Sequence, residues 1–351
     1  VGDHRVLREF RGADLVGVRY EPPYRLTEDA AAHRVYAASF VNLEDGTGIV
    51  HIASAFGEDD YRLGQEVGLP FVQPVNLAGS FTAEFALCAG TFVKDADPVI
   101  VRDLRERGLL YRSEDYEHDV PFCWRCDTPL LYYARDSWFI KTTAVKDEII
   151  KNNEKINWKP EYLKHGRFGE WLEDLKDWGL SRERYWGTPL PIWKCEKCNE
   201  IKVVGSTKEL GQKIDDLHRP YIDQITFDCK CGGKMKRELE VIDVWCDSGS
   251  MPFAQWHYPF ENKDRIDKGL SFPSDYICEG IDQTRGWFYT MLAISTLLGK
   301  ENPYKNVVVV GIVLDEKGNK MSKSKGNIVR PDEVMQRFGA DVARYYFYTI
   351  N

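Results

Sequence analysis

The sequence lacks any apolar run of the roughly 18–20 residues that a membrane-spanning helix needs, which argues against a helical membrane protein. Its start lacks the basic, apolar and small-residue order of a secretory signal, and it opens on Val1 rather than methionine. It also stops at "YYFYTIN" with no closing signal, so a stretch cut from a longer protein is expected. Positive charge is in deficit: 47 Lys and Arg face 55 Asp and Glu, a net charge of −8. A chain this acidic is not a general nucleic-acid binder, although a local basic surface can still meet RNA. Internal repeats and low-complexity tracts are absent, so a solenoid is not expected. What is present is 351 residues with 43% hydrophobic content, enough for two or three domains with sizeable cores.

Six of the nine cysteines fall in close pairs: Cys123/Cys126, Cys195/Cys198 and Cys229/Cys231. Paired spacing without a secretion signal favours metal over disulfides. Cys195-x2-Cys198 followed by Cys229-x-Cys231 and "GGK" supplies four thiolates, the set that closes a tetrahedron around one Zn²⁺. A closed shell leaves no open position, so this zinc is expected to be structural. Gly232 and Gly233 are expected to supply positive φ angles in the second turn. Cys123-x2-Cys126 is a second knuckle with no partner pair within reach. It is either a redox dithiol or half of a site completed by sequence upstream of Val1. Cys88, Cys246 and Cys278 read as isolated, buried thiols.

Three zones can be told apart. From Val1 to about Arg112, β-formers and turns ("HRVYAASFVN", "GTGIVHIA", "FVQPVNLAG") predict an antiparallel β domain with a few helices, one of them over "YRLGQEVGL". From Ser113 to about Glu240 come the knuckles, tryptophans and charged helices. From Val241 the pattern is α/β. "GWFYTMLAISTLLG" reads as an apolar helix, and Asn306–Leu314 as a central parallel strand. After Pro331 an amphipathic helical region follows. The stretch "NKMSKSKGN", Asn319–Asn327, leaves that strand through the turn "DEKGNK". Ligands of open α/β sheets bind at the carboxyl ends of strands, and closely spaced lysines there can clamp phosphate by charge. A solvated charge run is the competing reading.

"KMSKS" resembles the signature loop of class I aminoacyl-tRNA synthetases. Longer stretches agree: "LSRERYWGTPLPIW", "DVWCDSGSMPFAQWHYP" and "EGIDQTRGWFYT" all resemble the isoleucyl enzymes, and "GTGIVHIASAFGEDDY" resembles the heart of their editing domain. The likeness runs from about Arg34 to Tyr346, and the knuckles suit the zinc-containing, archaeal/eukaryotic-like branch. It implies an α/β fold: the second half of a Rossmann-like catalytic domain, part of a β-rich editing insertion and a zinc ribbon. It divides the chain into an editing part (1–112), a return bearing the orphan knuckle (113–194), a zinc-ribbon module (195–240), the catalytic half (241–330) and the start of a helical stem (331–351).

The resemblance also implies roles. Lys320 and Lys323 contact the phosphates of ATP, with Ser322 and Ser324 adding hydroxyls. Glu279 holds the amino group of the adenylate, and Gly280, Asp282 and Gln283 lie beside it. Trp245 and Trp287 wall the isoleucine pocket; core packing is the competing reading. Asp60 and His51 serve editing, with Thr47 and Gly48 shaping the strand that leads in, although "GEDD" alone reads as a helix start. The implied reaction joins L-isoleucine to its tRNA through an adenylate, with Mg²⁺ accompanying ATP, in a cytoplasmic, monomeric enzyme that also edits valyl-tRNA.

Departures are Ser54 where the family has proline and Cys246 where it has phenylalanine. The HIGH-type motif, the threonine-rich editing segment and the anticodon-binding domain are not in the sequence, so this chain is expected to be inactive alone. A valyl- or leucyl-tRNA synthetase, or a stand-alone tRNA-binding or editing module, is the alternative; "EGIDQTRGWFYT" disfavours the first two.

Overall fold

The computed structural model describes residues 5–42, 47–115, 117–123, 126–322 and 326–349. The chain divides into two compact units, Val1–Asp136 and Ser137–Asn351. The first therefore extends past the composition boundary at 112 and takes in the Cys123/Cys126 knuckle. The reason is local: Ala134 donates its N–H to Ala55 O (2.7 Å), and its carbonyl accepts from Gln73 Nε2 (3.0 Å), so this return segment is tied to the chain before it.

In the N-terminal unit, helix Glu58–Val67 places Glu58, Asp59 and Asp60 in its first turn, where carboxylates complement the helix dipole. Gly68 ends it in the left-handed region at φ 71°. A second helix, Val93–Glu106, packs Ala96 against Phe85 and Cys88 in a small core. The extended runs expected here pair less than anticipated. Among the described residues they meet only as isolated bridges, such as Arg19 with Arg34 and Val75 with Phe81. Exposed Ile49 and Val50 show why: an alternating run builds a ladder only when a neighbouring strand takes up its backbone groups.

In the C-terminal unit, three parallel strands lie in the order Ser274–Gly280, Tyr304–Val310, Asn157–Lys159. The expected central strand is thus central and parallel, but it runs over Tyr304–Val310 and not to Leu314. Its partner ends at Gly280, level with Val310, so the backbone beyond has no ladder to join, and Ile312, Val313 and Leu314 are exposed.

Helix Trp287–Leu297 makes the crossover between the first two strands and is buried along nearly its whole length. Trp158, Phe168, Phe288, Leu292, Tyr304 and Val307 fill the core between helix and sheet. The buried Tyr304 hydroxyl donates to Phe288 O (2.8 Å), satisfying the one polar atom its burial strands.

A separate four-stranded antiparallel sheet, built from Ile192–Cys195, Ile201–Val203, Phe227–Asp228 and Lys234–Arg237, has its own core around Trp193, Leu210, Ile222 and Met235. Helices Pro331–Phe338 and Ala340–Thr349 follow. No helix among the described residues is long and apolar enough to cross a membrane.

Candidate nucleotide site and metal centre

The two longest parallel strands end on the same rung: Glu279 pairs with Val309 and Gly280 with Val310. Their carboxyl ends release the two segments singled out in the sequence. After Gly280 comes a short turn, Ile281–Arg285. A Cβ at Gly280 would lie 2.6 Å from Asp282 Oδ1, so only glycine lets that carboxylate fold back. Asp282 Oδ2 accepts from Gln283 Nε2 (3.0 Å), and Gln283 Oε1 accepts the Trp287 N–H (3.0 Å), which caps the start of the crossover helix. Asp282 and Gln283, expected to lie beside the ligand, build the turn. Glu279 is exposed at the strand end.

Trp245 lies against Gly286, the residue before Trp287. A Cβ on Gly286 would approach Trp245 Cη2 to 2.9 Å, and Trp287 Nε1 donates to Ser248 O (3.1 Å). Trp245 is exposed, whereas Trp287 is half-buried and packs against the main core.

Their support was not legible in the sequence. Buried Asp243 receives the Trp245 N–H (3.2 Å), Trp178 Nε1 (3.0 Å) and Arg182 Nη2 (2.7 Å). Gly249 lets helix Val244–Gly249 approach the crossover helix, since a Cβ there would sit 2.9 Å from Ile294 Cδ1.

The lysine loop hangs from the end of strand Tyr304–Val310. Lys320 pairs in an isolated bridge with Leu314, and the Ser322 N–H donates to Asn327 Oδ1 (2.9 Å). Lys323 and Ser324 lie outside the described residues. Two residues the sequence reading gave no role organise what is described. Asp315 Oδ1 accepts the N–H groups of Lys317 (2.9 Å) and Asn319 (2.7 Å), and Asp315 Oδ2 accepts Asn327 Nδ2 (2.8 Å). The Asn327 amide, then the Asn319 N–H, hold the Asp315 carboxyl below the usual carboxylate range. An aspartate opening a Gly/Asn turn was the signal for it.

In the N-terminal unit, Gly48 and His51 line a cavity of about 930 Å³, with His33 and Arg34 on its wall. His33 Nε2 and Arg34 Nε are buried with no hydrogen-bond partner. Thr47 is not part of the lining; its hydroxyl bonds to Ile49 O (3.2 Å) and braces the turn. Asp60 Oδ1 accepts the Ala53 N–H (2.9 Å), so it serves the helix start that "GEDD" suggests and ties that start to the segment carrying His51.

Cys195, Cys198, Cys229 and Cys231 converge, their sulfurs all within 4.8 Å of one another. Cys195 Sγ lies 3.5 Å from Cys231 Sγ, and Cys198 Sγ 3.6 Å from Cys229 Sγ. Four sulfurs at ~2.3 Å from a central ion stand ~3.8 Å apart, so donors and spacing fit a tetrahedral Zn²⁺.

The N–H groups of Cys198 and Lys197 hold the Cys195 thiol down, at about 6. Cys198 is pushed up to about 12: the Glu200 N–H favours its thiolate, but the facing Cys231 and Cys229 outweigh it. Four thiolates this close need a cation. Of the two glycines, only Gly232 has the expected positive φ, at 77°. Gly233 is needed for room instead, because a Cβ there would meet Cys195 Sγ at 2.8 Å and Lys197 Cβ at 2.9 Å.

The other knuckle turns at Asp127 (φ 55°), whose N–H donates to Cys123 O (2.8 Å), and Cys126 Sγ contacts Thr128 Oγ1 (2.9 Å). Among the described residues it gathers no third ligand. Of the isolated thiols, Cys88 is buried, Cys246 is half-buried and Cys278 is exposed on an edge strand, contrary to expectation.

Residues 85–351 match the family model of class I tRNA synthetases for I, L, M and V. The chain is 51% identical over 376 residues to an isoleucine–tRNA ligase of Dehalococcoides mccartyi, covering 99% of this chain and 37% of that protein. It is 52% identical over 352 residues to one of Bacillus thuringiensis, covering 98% of this chain and 34% of that protein. A ternary complex of Agrobacterium radiobacter K84 LeuRS with tRNA and LeuAMS aligns with a TM-score of 0.37 at 27% identity, over 54% of this chain and 27% of that one, a likeness too partial to argue from. The chain spans about a third of the length of the curated relatives it matches. With the family model covering more than two thirds of its residues, the chain belongs to the class I aminoacyl-tRNA synthetases of the isoleucyl, leucyl, methionyl and valyl group.

Proposed function

We propose that the complete gene product joins L-isoleucine to its tRNA at the expense of ATP. The observation that carries this reading is the identity of about half across nearly the whole chain with isoleucine–tRNA ligases. The paired strand ends support it by bringing an exposed carboxylate and a lysine loop out of adjacent strands. In the reaction, an isoleucine carboxylate oxygen attacks the α-phosphorus of ATP. The bond to the β-phosphate bridging oxygen breaks, and pyrophosphate leaves. A ribose hydroxyl of the tRNA then takes the acyl group and AMP departs.

Charge on the transferring phosphates is met by Lys320 and Lys323, with the hydroxyls of Ser322 and Ser324 and with Mg²⁺ bound to the substrate ATP. Glu279 pairs with the ammonium of the amino acid, as a carboxylate does. Gly280, Asp282 and Gln283 shape the turn beside it, and Trp245 and Trp287 wall the side-chain pocket. A zinc ion held by Cys195, Cys198, Cys229 and Cys231 supplies rigidity and no catalytic step, because four thiolates fill its shell. Cys123 and Cys126 are half of a further metal site. The protein works as a cytoplasmic monomer.

The test is ATP–pyrophosphate exchange by the complete gene product. Exchange should depend on isoleucine and not on leucine or methionine, and Lys323→Ala should slow it by about tenfold or more. Exchange driven equally by leucine would overturn the assignment.

A second activity has its own support. The cavity beside His51, with unpartnered His33 and Arg34 atoms on its wall, suits the end of a misacylated tRNA. Isoleucyl-tRNA synthetase is the standard case in which one methylene discriminates too weakly and hydrolytic editing is needed. Asp60→Ala should let valyl-tRNA accumulate; an unchanged deacylation rate would remove Asp60 from that role.

A further inference from the structure

Lys320 and Ser322 belong to a stretch with no regular secondary structure, in which Lys317 and Lys320 stand three residues apart. Without further ties, the backbone at Lys320 could take many states, each placing its ammonium group differently. Two side chains oppose this. The Asp315 carboxylate takes the N–H groups of Lys317 and Asn319 on one oxygen. Asp315 also closes the turn with its own backbone, donating its N–H to Asn319 O (2.9 Å) and accepting the Gly318 N–H (2.9 Å). Its other oxygen takes the Asn327 amide at 2.8 Å, twelve residues further along. Asn327 then spans Lys320 and Met321: its Oδ1 accepts the Ser322 N–H (2.9 Å) and its Nδ2 donates to Lys320 O (3.3 Å). The two side chains bond to each other and satisfy four backbone groups on both sides of Lys320.

We propose that Asp315 and Asn327 are positioning residues that fix the backbone of Lys320–Ser322 before ATP arrives. This rests on the reading of the loop as a phosphate clamp. Neither side chain need touch substrate. Their effect is to remove conformers in which Lys320 points away, so that the reorganisation is complete in the free enzyme. A carboxylate suits position 315 because every group it receives is a donor. An amide suits position 327 because it must accept from Ser322 and donate to Asp315 at the same time. The bonds from Asn327 and Asn319 favour the charged carboxylate and lower its titration.

The pairing is reciprocal, and that makes it testable in the complete gene product. Asn327→Asp sets two carboxylates against each other and should cut kcat of isoleucine-dependent exchange by more than about tenfold, with KM for ATP and isoleucine changed far less. The double swap Asp315→Asn with Asn327→Asp restores one donor and one acceptor. The amide at 315 still accepts from Lys317 and Asn319 and donates to the carboxylate at 327, which still accepts from Ser322; only the long bond to Lys320 O (3.3 Å) is lost. It should recover to within about threefold of wild type, a coupling of the kind that double-mutant cycles detect. Asn327→Ala should also speed amide hydrogen exchange at Ser322, a readout independent of activity. If wild type shows no isoleucine-dependent exchange, the proposed function fails, and the Ser322 amide still decides on the brace. If the double swap is as slow as Asn327→Asp, or the Ser322 amide is unaffected by Asn327→Ala, the positioning role is wrong.

Discussion

The thiol knuckles and the lysine loop are both irregular turns hanging from strands, yet they are held in different ways. At Cys195–Cys231 the four sulfurs point at one centre, and that centre closes the shell. At Lys320–Asn327 the side chains that hold the turn, Asp315 and Asn327, bond to backbone and to each other. No bond of that lacing uses the ammonium group of Lys320, the lysine proposed above to meet phosphate. If the loop acts as proposed, it differs from the knuckles in keeping charged groups free of its own lacing. Changes at the knuckles should therefore lower stability, and changes at the loop should lower rate.

The largest effect that tests this contrast is metal removal. Stripping the ion with a strong chelator, or Cys195→Ser, should unfold the small sheet around Trp193, because binding free energy in such modules is folding free energy, about 10–16 kcal/mol in zinc-finger peptides at pH 7. Zinc content and near-UV circular dichroism should fall together. A module that keeps its spectrum without metal would break the comparison.

Next comes Arg237, whose buried guanidinium donates to Asp223 Oδ1 (2.7 and 2.5 Å), Leu190 O (3.2 Å) and Glu240 O (3.0 Å). Arg237→Leu leaves Asp223 with only Arg219 and should cost about 3–5 kcal/mol in chemical unfolding. The sign with pH is fixed. Burial opposes the Asp223 charge, but Arg219 and Arg237 win and depress its titration. Its contribution is thus fully present above the ordinary aspartate pKa and is lost as pH falls through the lower folded-state value. That acid-sensitive component should shrink in Arg237→Leu.

Smaller still, Gly233→Ala forces a methyl against Cys195 Sγ and should cost about 1–3 kcal/mol as overpacking, with weaker metal retention under competition by a chromogenic chelator. The smallest stability effect belongs to the loop. Lys320→Ala should move the unfolding midpoint by less than about 0.5 kcal/mol, the usual surface range, while slowing pyrophosphate exchange. A large loss of stability there would merge the two kinds of turn.

The same contrast explains what could be read in advance. Cysteine spacing was enough for the knuckles, because ligand type and tight turns are local properties. The parallel strand was legible in its run of valines, and the crossover helix in its all-round apolar character. The strand's end was misplaced because it depends on where Gly280 stops in the neighbouring strand. Asp243 could not be assigned from pattern, since Trp178 and Arg182 reach it across more than sixty residues. Gly233 was read for its backbone angle, whereas only the position of Cys195 Sγ reveals its real constraint, which is space. In the N-terminal unit, apolar alternation foretold extended chain but not the ladders, which depend on partners rather than on the run itself.

The level ending of the two parallel strands has a consequence for how such a chain can vary. Glu279 faces Val309 and Gly280 faces Val310 because the ladder counts residues from Ser274 and Tyr304 together. One residue added inside either strand would turn Glu279 or the start of the lysine loop to the other side of the sheet. Insertions and deletions are therefore expected to be rejected within the strands and in the Gly280–Trp287 turn, and tolerated best in the exposed stretch 311–314 before the Asp315 lacing. The hydrogen-bond ladder acts as a ruler that gives the two loops a common origin.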